Sequence, residues 1–146
     1  MKEIVIKSTA EGERFQRLID ELKRMKLSVG FKAGEHFEEN GMDVAEVAMR
    51  NEFGDDTTPS RPFMRQAIEN HGTEISQIVK RAVQRDNAAD ILNLIGDGVS
   101  QLIRDEIDNG DFAPNAPSTI ARKGTDKPLI DTGTMRDAVG YWIEKE

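Results

Sequence analysis

The chain has no cysteine, one tryptophan, one tyrosine and two histidines among its 146 residues. Without cysteine there is no disulfide, no thiolate zinc site and no thiol nucleophile. Aromatic residues make up only 5%, so a core has to be built from Ile, Val, Leu and Met. No apolar run approaches the roughly 20 residues of a membrane span. The N-terminal MKEIVIKSTAEGERF has a short apolar run followed by charges, so no signal peptide and no membrane partner is expected. Internal repeats and low-complexity tracts are missing as well. What the chain does have is charge: 32% of residues are charged and the net charge is -7, which opposes wrapping nucleic acid by electrostatics alone. A length of 146 residues suits one domain over 1–146.

Periodicity then divides the chain. EIVIK at 3–7 reads as a short strand ending in a turn at Ser8, Thr9 and Gly12. Phe15, Leu18, Ile19, Leu22 and Met25 recur at helical spacing. Leu27, Val29 and Phe31 alternate with Ser28, Gly30 and Lys32, the period of a half-buried strand closed by Gly34. The segment from Met42 to Gly54 reads as a short helix started by Asp43 and stopped at Gly54. Ser60 is expected to cap the next helix, with Pro62 as its second residue and an apolar stripe of Phe63, Ala67 and Ile68. The stripe resumes at Ile75, Ile78, Val79 and Ala82 after an interruption near Gly72. A second long helix runs over 87–109 with Ile91, Ile95, Val99, Ile103 and Ile107. A helical turn and a closing strand finish the chain, and Tyr141 and Trp142 on that strand should face opposite ways, the outward one a candidate contact residue. The expected class is α+β: a small antiparallel sheet of three to four strands on two long antiparallel helices and shorter ones, with an extended loop over 110–130.

Catalytic chemistry is nearly absent from this pattern. His36 and His71 stand in no metal-ligand spacing and read as surface histidines. Glu38, Glu39, Asp55, Asp56, Asp105, Glu106 and Asp108 read as solvated turns and helix faces. Ser60 and Ser118 lack a nucleophile elbow, which needs Gly on both sides of the serine. Gly96 and Gly98 form no phosphate loop, because no strand precedes them and no lysine follows at the required spacing. The expectation is a protein with no catalytic, cofactor or metal residues.

Four segments carry a resemblance: VAMRNEFG, PSRPFMRQAI, GVSQLIRDEID and NAPSTIARKGTDKPLIDTGTMRDAVGYWIE, in that order between residues 44 and 143. Together they resemble a family of tailed-bacteriophage and prophage virion morphogenesis proteins, described as tail-completion, tail-terminator, neck or minor tail proteins. In that family an NEFG helix end, an Arg-Pro-Phe turn and a loop ending in PLIDTG follow one another; Ser60 before the Arg-Pro-Phe and Thr134 after DTG depart from the common pattern. The resemblance implies a homo-oligomeric ring, a hexamer in proteins of this kind, in the tail or neck of a virion, assembled in the host cytoplasm. It implies the tail tube protein and head–tail connector proteins as partners, with DNA as a passenger through the channel.

The loop has the composition of an arm. Pro114, Pro117 and Pro128 restrict its backbone, Gly124 and Gly133 permit turns, and Ser118, Asp131 and Thr132 stand where they could cap helical turns. Candidate interface residues are Asn115, Pro117, Thr119, Arg122, Lys123, Lys127, Asp131 and Thr132 in the loop, with Arg61 and Phe63 in the turn before it. Arg122, Lys123 and Lys127 could meet an acidic neighbouring subunit, face phosphate in the channel, or fold back on their own domain. Asn51 and Gly54 also read simply as a helix end, Phe53 and Phe63 as packing residues, and Arg61 as a local partner of Glu52. A prophage-encoded regulatory module, monomeric or dimeric, is the alternative function, and a hydrolase a distant third.

Overall fold

The computed structural model describes residues 9–115, 119–121, 129 and 133–146. It is α+β. The elements are α1 (Ala10–Leu22), β1 (Met25–Gly30), α2 (Val44–Phe53), α3 (Phe63–Asn70), α4 (Gly72–Ala82), α5 (Ala88–Asn109), α6 (Thr134–Asp137) and β2 (Gly140–Lys145).

Helix starts follow from short polar side chains. Thr9, expected in a turn, is the N-cap of α1, its Oγ1 accepting from the Gly12 amide at 3.0 Å. Asp43 caps α2 through Ala45 N at 3.0 Å, and Asn87 caps α5 through Asp90 N at 2.8 Å. The single long stripe expected after Pro62 is two helices: His71, at φ -115° and ψ 25°, breaks it just before Gly72, which weakens any helix. One long helix of 22 residues, α5, therefore has an antiparallel partner split into 8 and 11 residues, in place of two long helices.

Among the described residues the sheet has two strands, fewer than the three or four expected. β1 and β2 pair antiparallel from Met25 with Lys145 to Gly30 with Gly140, joining the two ends of the domain. The strand expected at 3–7 lies outside the described residues. The strand expected over 27–32 begins two residues earlier and ends at Gly30, whose φ of 143° turns the chain away.

Helix α5 is the spine. Ile103 and Ile107 enter a core with Val44, Ala48, Phe63 and Ala67, while the other half of the helix meets α4 and the sheet. Alternation along β2 puts Tyr141 toward α5, where its ring lies on Gly96 and its hydroxyl donates to Asn93 Oδ1 at 2.9 Å. Trp142 is the outward neighbour, half-buried with Lys32 Nζ 5.9 Å from its ring centre. No described helix is long and apolar enough to cross a membrane.

The two glycines inside α5 give opposite expectations. A Cβ on Gly96 would stand 2.4 Å from the base of the Tyr141 ring, whereas one on Gly98 would meet the far end of Ile78 at 2.8 Å. Alanine adds about 1 kcal/mol of helix propensity at either site, but overpacking against a ring costs about 1–3 kcal/mol. Gly98→Ala should be neutral or stabilising and Gly96→Ala destabilising, as urea unfolding would measure; equal effects at the two positions would contradict this packing.

Candidate assembly site

Three of the four segments that carry the resemblance converge on one corner of the domain, at the C-terminal end of α5. The turn from α2 to α3 is folded back on α2: Arg61 N donates to Asn51 O at 2.6 Å and Ser60 Oγ to Glu52 O at 2.8 Å. Gly54 stops α2 at φ 73°, and a Cβ there would lie 2.7 Å from Ser60 N, so the close return of the chain requires glycine. Ser60 thus ties the turn to α2 and does not cap α3, contrary to expectation.

The cap comes from Glu52. Its carboxylate is buried at 6% exposure and accepts from Met64 N at 2.9 Å, Arg65 N at 3.2 Å and Arg65 Nε at 2.9 Å. A carboxylate at the first amides of a helix satisfies orphan donors and complements the helix dipole. Pro62 can offer no side-chain cap of its own. The partner of Glu52 is therefore Arg65 and not Arg61. Arg65 also donates to Glu52 O at 2.7 Å, and its guanidinium carbon lies 5.2 Å from the centre of the Phe53 ring.

Arg61 points inward. It is 6% exposed, and its Nε donates to Ala113 O at 2.7 Å and its Nη2 to Pro114 O at 3.2 Å and Asn115 Oδ1 at 3.5 Å. Burial lowers the pKa of its guanidinium. Gln66 Nε2 adds a bond to Asp111 O at 3.3 Å. The root of the loop is thus clasped to its own domain. Asn51 Nδ2 reaches Met135 Sδ at 3.9 Å, joining the segment after the loop to the same corner. Behind it Arg136 Nε bonds both oxygens of Asp108 at 2.8 Å, which raises the arginine pKa.

Of the expected interface residues, Arg61 and Asn115 are brought together, but across an intramolecular contact. Phe63 is a correction: at 0% exposure it is core, its ring 5.9 Å from that of Phe31 and nearly perpendicular at 83°. Thr119 is half-buried in a helical turn described over 119–121. Pro117, Ser118, Arg122, Lys123, Lys127, Asp131 and Thr132 lie outside the described residues.

Other residues at this corner were misread from sequence. Phe53, expected to pack, is 67% exposed, and Met49 one turn before it is 62% exposed. Asp55 is not simply solvated: its Oδ1 accepts from Thr57 N at 2.9 Å and Thr58 N at 2.7 Å, and the Thr57 amide is the main cause lowering its pKa. That ordering of the turn is present above the ordinary carboxylate value of 3.8 and is lost as the pH falls through the lower folded value.

Further along the α3–α5 contact, His71 is half-buried rather than a free surface residue. Its Nε2 lies 3.1 Å from Glu106 Oε2, and Asn70 Nδ2 donates to Glu106 Oε1 at 3.1 Å. Glu106 is 5% exposed, so both carboxylate oxygens are satisfied inside the domain and the cluster pins the α3–α4 break onto α5. These residues line a cleft of about 380 Å³. His36 is exposed. Among the described residues no three His, Asp or Glu side chains are grouped to hold a metal ion. No protein-family model, curated protein or solved structure matches the chain.

Proposed function

We propose that this chain is a structural assembly protein of a tailed phage or prophage, completing or terminating the tail or joining it to the head as a homo-oligomeric ring around the DNA channel. The observation that carries the reading is the convergence of the quoted segments. NEFG, SRPF and the loop root at Asn115 are far apart in the chain, with 54 positions between Arg61 and Asn115 alone, yet Arg61 bonds both Asn51 and Asn115. A turn that braces the start of a long polar loop suits a loop used on a neighbour. In this reading Arg122, Lys123 and Lys127 meet the acidic surface of the adjacent subunit in preference to DNA, because a passage for DNA should not hold it and the net charge of -7 opposes retention.

Light scattering coupled to size exclusion, on the protein alone and with purified tail tubes, tests the reading. A discrete oligomer or a tube-bound species is the expected result; a monomer that ignores tubes removes the tail-end role and leaves the head-side connector or the regulatory module, which binding to the portal complex separates. Shortening the loop between residues 116 and 128 should leave the thermal transition of the monomer in place and abolish assembly. Normal tail joining by that variant would remove the arm from the mechanism.

A further inference from the structure

Besides Phe15 on α1 and Phe37 before α2, the exposed large apolar side chains among the described residues form two groups, one near each end of α5. At its C-terminal end Met49 and Phe53 stand one helical turn apart on α2, 62% and 67% exposed. Arg65 bridges from Phe53 to α3, where Ile68, three positions on, is 56% exposed. The arginines here are already used, Arg50 by Glu46 and Arg65 by Glu52. Among the described residues Asp55, Asp56 and Glu69 make no ion pair, and the free charge around this apolar surface is therefore negative.

The outer edge of α4 is the complement. Val79 and Val83 stand one turn apart, 38% and 53% exposed, beside the buried Ile78 and Ala82 that face α5. Lys80, three positions before Val83, and Arg81 and Arg85 around it are exposed and make no ion pair among the described residues. Ile78 lies on Gly98 while Arg61 reaches Ala113, so at 1.5 Å per residue of helix the two surfaces are separated by on the order of 20 Å along the domain. Each exposes a strip that is apolar at its centre and of one sign at its rim, and the signs are opposite.

We propose that copies of this chain associate head to tail, the surface of Met49, Phe53 and Ile68 on one copy seated against Val79 and Val83 of the next. Asp55, Asp56 and Glu69 then oppose Lys80, Arg81 and Arg85. The occupant is a second copy because both halves of the match lie on one chain. A contact between two different surfaces leaves one of each free at the ends of every pair, so it continues, into a ring where the rotation closes and into a filament where it does not. The inference rests on the assembly reading for its closed form and adds the surfaces that make it.

The test uses the full chain with Phe53→Asp, Val83→Asp, and a one-to-one mixture of the two, measured by light scattering after size exclusion. Wild type should form an oligomer and each variant alone should be monomeric. The mixture should form a dimer that grows no further, because each variant keeps one working surface. Both side chains are exposed, so an unchanged thermal midpoint is expected for each; Lys80→Glu with Arg85→Glu provides a second disruption that leaves the apolar strip intact and should also give monomers. Wild type that stays monomeric, a variant that assembles normally, or a mixture that stays monomeric overturns the proposal. Val83→Asp dimerising alone would overturn it in favour of a two-fold contact through Phe53. Wild type that binds tail tubes while all these variants assemble as it does would leave the assembly reading standing and remove this contact.

Discussion

Phe63→Ala should lower stability by about 3–5 kcal/mol, the range for deleting a fully buried aromatic ring. For a chain of this length each kcal/mol shifts the midpoint by roughly 2–4 °C, so a fall on the order of 10 °C is expected. Phe63 is the first residue of α3 and is completely enclosed. Its ring stands edge-on to Phe31, with Val44 and Ala48 of α2, Ala67 of its own helix and Ile103 and Ile107 of α5 in the same cluster. Removing it leaves a void at the meeting point of three helices whose positions are also fixed by hydrogen bonds, so collapse around it is limited. The experiment separates two roles for the Arg-Pro-Phe turn. A core residue loses midpoint whether or not the protein assembles; a contact residue loses assembly with the midpoint unchanged, and that second result would contradict the enclosed position.

The enclosed position of Phe63 marks where local sequence signals end. Elements with local signals were readable: Asp43 and Asn87 cap helices through their own side chains, Gly54 ends one, and the spacing of isoleucines defined α5 to within a residue. The pairing of β1 with β2 was not readable, because their register is set by packing on α5 across more than a hundred residues of chain. Side-chain destinations at the corner were hardest. Glu52, Arg61 and Arg65 look alike in sequence as turn charges, and only the fold-back of 54–62 decides that Glu52 caps α3 and Arg61 is buried on carbonyls. Phe53 and Phe63 flank the same turn; one is exposed because it lies on the solvent side of the last turn of α2, and the other is enclosed because α3 begins beneath that turn. Glu106 gives no sequence signal beyond falling between Ile103 and Ile107 on the inward face of α5.

Glu52→Ala is expected to cost roughly 1–3 kcal/mol, from part-buried donors left unpaired and the lost helix cap. The ion pair with Arg65 is the smaller part. The Arg65 side chain is 55% exposed, so solvent screens the attraction and rehydrates the guanidinium once its partner is gone. The part-buried backbone amides of Met64 and Arg65 have no other protein acceptor among the described residues, since Pro62 supplies no cap. Arg65→Ala should therefore cost under about 1 kcal/mol, while Glu52→Gln, which keeps an acceptor and the volume but loses the charge at the helix start, should fall between the two. Urea unfolding of the three variants measures the order. If Arg65→Ala proved as damaging as Glu52→Ala, the ion pair and not the cap would hold the turn. The order also bears on assembly. A loosened α3 start frees the turn that carries Arg61, and Arg61 holds the loop root at Ala113 and Pro114. Glu52→Ala should consequently impair self-association at temperatures where the domain is still folded, whereas Arg65→Ala should not. Full assembly by folded Glu52→Ala protein would mean that the braced corner contributes to stability alone.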